Sequence, residues 1–88
     1  MPVQRCQEGG KSGWRWGKQG KCYIGGKEAK KKALKQGYAI DPEHFAEVAA
    51  ESPDITTDEV YNALLEETQN MAVASMLTQE FQQAREEK

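Results

Sequence analysis

The sequence predicts an α+β fold: a small antiparallel β-meander of two or three strands packed on one helix, followed by two acidic α-helices, the last one long. Three observations predict it. Trp14-Arg15-Trp16 alternates between bulky and charged side chains and is bracketed by glycines, the pattern of a short strand between turns. Lys27 to Gln36 is a run of Lys, Ala and Leu that stops at Gly37, the pattern of a helix and its end. Beyond it lie two helix-start signatures, at Asp41-Pro42 and at Thr56 to Glu59, each leading into apolar residues at helical spacing.

The elements follow in chain order. Pro2 to Gln7 reads as an edge strand, because proline is tolerated where such a strand begins. Glu8 to Gly13, with three glycines and a serine, reads as a loop. In Trp14-Arg15-Trp16 the two indoles share a face and Arg15 points the other way. The face of Trp14 and Trp16 is expected to be core, since so short a chain has few other large residues to bury. Gly17 to Gly20 is a turn, and Cys22-Tyr23-Ile24 is the returning strand, with Cys22 and Ile24 on one face and Tyr23 opposed. The Lys27–Gln36 helix has a thin apolar side of Ala29, Ala33 and Leu34, expected to cover the tryptophans. Its lysines are expected to face water, because Lys is rarely buried unpaired. Asp41 then serves as N-cap with Pro42 at the first helical position, and Ile40 with Phe45 forms a hydrophobic staple; Ser52-Pro53 ends that helix. Thr56-x-x-Glu59 is a capping box, and Ile55 with Val60 repeats the staple.

From Thr56 the helical signal persists to about Ala84. At 100° per residue, Val60, Tyr61, Leu64, Leu65, Met71 and Ala72 fall on one broad face, whereas Val73, Leu77, Phe81 and Ala84 fall on nearly the opposite one. Two arrangements fit. The helix breaks near Asn70 and folds back, or it runs on with one face against its own domain and the other against a partner or a second copy. The second is favoured. It makes Met71, Val73, Met76, Leu77, Phe81 and Ala84 a partner-binding surface.

The chain is 88 residues long, 38% hydrophobic and 30% charged, with a net charge of -2. The average conceals a division into a basic hairpin–helix region, 1–40, and an acidic helical region, 41–88. Residues 1–40 hold ten Lys/Arg against two acids, a net of +8, and residues 41–88 hold two Lys/Arg against twelve acids, a net of -10. Such a chain either turns its basic half toward phosphates or an acidic protein, or neutralises itself within or between copies. No apolar run approaches the roughly 20 residues of a membrane span, and no secretory h-region stands near Met1, so no membrane partner is expected.

No catalytic chemistry is legible, and an enzyme is not expected. Cys6, Cys22 and His44 are the soft ligands, with none of the close Cys pairs of a structural zinc site, so neither metal nor cofactor is expected. In a simple meander Cys6 and Cys22 flank the central strand, roughly 10 Å apart by two strand spacings. That is too far for a disulfide, and the pair reads as small free core residues rather than as a bridge. Gly10-Lys11-Ser12 lacks the earlier glycine of a phosphate loop, whose place is taken by Arg5. The acids sit on polar helix surface without the burial that would shift their pKa. What remains is a basic surface of Arg15, Lys18, Lys21, Tyr23, Lys30, Lys31 and Lys32, with Arg15 and Tyr23, off the tryptophan face, as the better contact candidates.

Gly13-Trp14-Arg15-Trp16-Gly17, Gly20-Lys21-Cys22-Tyr23, Lys27–Ala29, Lys32-Ala33, Gln36-Gly37 and Ala39-Ile40 together resemble a hairpin–helix module of tailed-bacteriophage proteins. That module occurs in small free-standing phage proteins and as an appendage on phage structural proteins. The resemblance covers about a third of the chain; Cys22 replaces an aliphatic residue of the pattern, and Gly25-Gly26 replaces a Pro/Thr-containing connection. It implies a phage origin and carries no catalytic residues. The expected function is therefore a small non-enzymatic bacteriophage structural or assembly protein. It would bind a larger virion component, head or portal, through its C-terminal helix, or associate with itself, and reside in the host cytoplasm during infection and in the virion. The alternatives are a nucleic-acid-binding regulator using the basic hairpin–helix, and a phage inhibitor of a host enzyme whose acidic helices mimic nucleic acid. No small-molecule substrate is expected.

Overall fold

The computed structural model describes residues 3–17 and 20–87. Strands β1 (Val3–Glu8), β2 (Lys11–Trp16) and β3 (Tyr23–Ile24) form an antiparallel sheet in the order β1-β2-β3. Helices α1 (Lys27–Ile40), α2 (Phe45–Ala50), α3 (Thr57–Thr68) and α4 (Met71–Glu86) follow. The fold is thus α+β with the meander that the sequence suggests, and three helices follow α1 where two were expected.

The first hairpin is tighter than expected. Glu8 faces Lys11 in register, and only Gly9 and Gly10 lie between them, at φ +58° and +81°. Two successive positive φ angles define the two-residue turn whose twist suits antiparallel strands. Lys11 to Gly13, expected as loop, therefore belong to β2. The turn expected at Gly17 to Gly20 falls partly on residues 18 and 19, outside the described residues.

Trp14 and Trp16 are buried, as expected for a core face, and their side of β2 packs on α1. Ala29, Ala33 and Leu34 supply the apolar side of α1. The helix does not end at Gln36. It continues to Ile40, and Gly37 lies inside it, buried against the Trp16 indole, in the space a Cβ would fill. Helix α1 closes at Asp41, whose backbone N–H donates to the Gly37 carbonyl. The expected helix start at Asp41-Pro42 is displaced accordingly. Residues 42–44 form turns, and α2 begins at Phe45. The Asp41 carboxylate still accepts from the His44 backbone N–H at 3.3 Å, so the capping bond forms on a turn rather than a helix. Ile40 is 59% exposed while Phe45 is fully buried, so the staple between them does not form. Phe45 instead stacks on Trp16, with centroids 5.4 Å apart, and takes the edge of Tyr38.

Ser52, expected only as a helix stop, ties three parts of the chain together. Its hydroxyl accepts the Val3 N–H at 3.1 Å, and its carbonyl accepts from the Arg85 guanidinium near the end of α4. The capping box at Thr56 forms in full: Glu59 N–H donates to the Thr56 hydroxyl, and Thr56 N–H donates to the Glu59 carboxylate. Ile55 and Val60 are both fully buried beside it.

The long helical signal breaks. Gln69 adopts φ +53° and closes α3 through its N–H to the Leu65 carbonyl. The Asn70 side chain then accepts from the N–H groups of Ala72 and Val73 and starts α4. Helix α4 folds back against α3 and α2. Leu77 and Phe81 are therefore buried in the chain's own core, together with Ala74, and Val73 and Ala84 pack against it half-buried. The favoured arrangement, in which this face was surplus and needed a partner, is overturned. The apolar stripe that opposes the α3 face in a straight helix reaches the same core once the chain reverses at Gln69-Asn70. One cluster of buried residues, from Val3 to Phe81, spans both the basic and the acidic region.

Candidate functional site

The free cysteines expected from strand spacing are a disulfide, Cys6–Cys22, with Cα atoms 5.9 Å apart. The reason lies at Gly13, which pairs with Cys6 on one side and Ile24 on the other. The position its Cβ would take is occupied by the Tyr23 carbonyl and the Ile24 backbone. β3 thus rides over β2 where β2 has no side chain, and the two-strand spacing collapses enough for the sulfurs to meet. The bridge lies on the sheet face opposite the tryptophans, because Cys6 is paired with Gly13, one residue out of phase with Trp14.

The basic residues named from the sequence do not form one surface. Lys30 is only 13% exposed in its side chain. It stands over the Trp14 ring at 4.8 Å, donates to the Asp54 carbonyl, and pairs with the Glu59 carboxylate at 3.2 Å. Glu59 thereby completes its capping box and neutralises Lys30 with the same carboxylate. Lys31 pairs with Glu66 and with Glu28, and Lys35 also reaches Glu66, at 3.6 Å. The hydrogen bond from Lys31 holds the Glu66 carboxyl below the usual carboxylate range, and its reciprocal raises the Lys31 ammonium above its ordinary value. The lysines expected to face water as a binding surface are thus largely engaged by α3. Opposite charge on adjacent helices is cancelled within the chain. Arg15 lies on the disulfide face, its guanidinium donating to the Gln4 side chain at 3.4 Å. Tyr23 pairs in register with Trp14 and so lies on the other face, half-buried against the core. The expectation that Arg15 and Tyr23 share a face is therefore corrected. Lys18 lies outside the described residues.

Three of the named residues do come together. Tyr23 and Lys32 line a groove of about 320 Å³ with Lys35, Gln36, Ala39 and Glu67. Lys21 flanks it: its ammonium stands 5.6 Å from the Tyr23 ring centroid, and its backbone N–H donates to the Gln36 side-chain oxygen at 3.0 Å. Lys35 and Gln36 escaped sequence reasoning as site residues; their i, i+3 and i, i+4 spacing from Lys32 was the available signal.

A second, larger groove of about 690 Å³ runs between α2 and α4. Glu43, Glu47 and Glu51 line one wall, Glu80, Gln83 and Glu87 the other, with Ala46 and Ala84 between. Of the residues expected to bind a partner, Ala84 lines this groove, while Met71 and Met76, 68% and 53% exposed, are open on α4 outside its lining. Among the described residues, no group of three or more His, Cys, Asp or Glu side chains is placed to hold a metal ion, and no helix is long and apolar enough to cross a membrane. Comparison with protein-family models, with curated proteins and with solved structures finds no match to this chain.

Proposed function

We propose that this chain is a small non-enzymatic assembly protein of a tailed bacteriophage that docks on a larger particle component through its C-terminal helix α4 and the neighbouring α2. The observation that carries the reading is the acid-walled groove between those helices. Glu59 and Glu66 on α3 are matched by lysines of α1, but Glu43, Glu47, Glu80 and Glu87 have no ion-pair partner among the described residues. Like charges facing one another across a groove repel, and a basic surface set between them relieves the repulsion and steers encounter. Met71 and Met76 add exposed, adaptable apolar contacts on the same helix. The resemblance of the hairpin and α1 to phage modules supports the origin. The Cys6–Cys22 bridge supports a working life outside a reducing cytosol, as in a finished particle.

The nucleic-acid alternative is left with fewer cations, because Lys30 and Lys31 are committed to Glu59 and Glu66. The test is co-purification with particles and assembly intermediates. The wild-type chain is expected to travel with them and to dissociate as salt is raised, whereas Glu47→Lys with Glu80→Lys abolishes the association without unfolding the chain. A protein absent from both fractions overturns the reading.

A further inference from the structure

The groove beside Tyr23 has a composition that the docking reading leaves unused, and it shares no residue with the α2–α4 groove. One wall is the Lys32–Lys35–Gln36 edge of α1, and Tyr23 of segment 20–26 faces it, with Lys21 flanking the groove beside the Tyr23 ring. Nearly every polar group there is a hydrogen-bond donor. Lys32 and Lys35 carry ammonium groups and Tyr23 a phenol, and the Lys21 ammonium stands beside that phenol ring at the rim. The Gln36 oxygen is already engaged by the Lys21 N–H, which leaves its amide NH₂ as the group free to bond. Lys32 has no ion-pair partner among the described residues, and Lys35 is shared with Glu66 at 3.6 Å. Glu67 is the one acid in the lining.

We propose that this groove is a binding site for a phosphate group. A phosphate offers several acceptor oxygens and negative charge to a set of converging donors, which a single carboxylate matches less fully. The second part of the inference concerns how the site is held. Segment 20–26 is anchored to β2 by only two residue pairs and by Gly25 N–H to the Ser12 carbonyl at 3.1 Å. The Cys6–Cys22 bridge ties it covalently to β1. The bridge therefore keeps the Lys21–Tyr23 wall in place. A dithiol reductant opens the site: the dithiol is oxidised to its own disulfide, and Cys6 and Cys22 each gain a proton as thiols.

The test is titration of the oxidised chain at low ionic strength, followed by backbone amide NMR, with three probes: inorganic tripolyphosphate, a single-stranded oligothymidylate of about eight nucleotides, and oligoglutamate. Tripolyphosphate is expected to move the Lys21, Tyr23 and Gln36 signals, which identifies a free phosphate compound as sufficient. Movement by the oligonucleotide alone assigns the phosphate to a nucleic-acid strand. Oligoglutamate binding as well as either, or no probe moving those signals, overturns the proposal. Lys32→Gln is expected to weaken binding roughly fivefold, the scale of one exposed charge-assisted contact. Glu67→Gln is expected to strengthen it, and Lys27→Gln, outside the groove, to leave it unchanged. Equal losses in Lys27→Gln and Lys32→Gln reduce the effect to diffuse charge and overturn the site. Reduction by dithiothreitol is expected to lower affinity while the Trp14 and Trp16 signals stay folded; unchanged affinity overturns the role of the bridge. Should reduction unfold the chain, Cys6→Val with Cys22→Ala, which removes the tie and keeps apolar packing, is titrated instead, and unchanged affinity there overturns the role of the bridge.

Discussion

Gly37 illustrates how one missing atom organises the centre of this protein. It sits within α1, where glycine is about 1 kcal/mol less favourable than alanine. The vacancy at its Cβ is filled by the Trp16 ring, and that ring stacks in turn on Phe45. A methyl group at this position meets an indole that is itself held between helices and has nowhere to retreat. Gly37→Ala is therefore expected to destabilise the fold by about 1–3 kcal/mol, since overpacking outweighs the gain in helix propensity. Urea unfolding followed by tryptophan fluorescence checks this, and a variant at least as stable as the parent contradicts it. In the sequence, a glycine after Lys, Ala and Leu reads as a helix end, because αL geometry is the commonest use of glycine there. Nothing local distinguishes that use from a notch for a ring 21 positions earlier. Gly13 hides its role in the same way. It looks like loop filler, and it is the gap over which β3 passes so that Cys6 and Cys22 can join.

At the scale of elements, the turn between α3 and α4 decides whether the chain has surplus apolar surface. A continuous helix from Thr57 to Ala84 would be about 42 Å long, whereas the longest dimension of the whole molecule is 38 Å. Reversal at Gln69-Asn70 places Leu77 and Phe81 inside, each contributing on the order of 2 kcal/mol by burial. The signals for that reversal are short-range. Gln69 takes a left-handed conformation that glycine adopts more easily, and Asn70 caps α4 with two backbone bonds. Gln69→Gly is expected to stabilise the fold by up to about 1 kcal/mol, and Asn70→Ala to destabilise it by about 1 kcal/mol. Thermal unfolding by circular dichroism reads both. If neither substitution moves the midpoint, the turn is fixed by packing and not by its caps. The Trp14-Arg15-Trp16 part of β2, the capping box at Thr56 and the apolar side of α1 were legible because their signals are local and agree with the packing; Lys11 to Gly13, rich in loop-forming residues, were not. The break at Asn70 was only half legible: two opposed apolar stripes mark either a partner or a fold-back, and tertiary contact decides between them.

The whole molecule turns a divided charge into a bonded interface and a remainder. Basic α1 lies on acidic α3, and the pairs of Lys30 with Glu59 and of Lys31 and Lys35 with Glu66 account for the neutralisation between them. The division was plain in the sequence; which lysine met which acid was not, because it depends on how the two helices rotate against each other. Glu66 makes this pairing sensitive to pH. The hydrogen bond from Lys31, aided by the charges of Lys31 and Lys35, lowers the Glu66 carboxyl in the folded chain, so the unfolded chain binds its proton more readily. That contribution to stability is present above the ordinary carboxylate value of 4.5 and is lost as pH falls through the lowered folded value. Lys31 is raised, chiefly by the same bond, so its contribution is present below its ordinary value of 10.5 and is lost as pH rises through the raised one. Between those limits the α1–α3 pairing adds no slope. Glu66→Gln removes the acid-side loss, and the gap in urea midpoint between it and the parent is expected to be widest near neutral pH and to close toward pH 3. The Glu66 side chain is 47% exposed, so the gap is also expected to shrink in high salt. A gap independent of both pH and salt would mean that Glu66 holds α1 to α3 by packing and not through its ion pairs with Lys31 and Lys35.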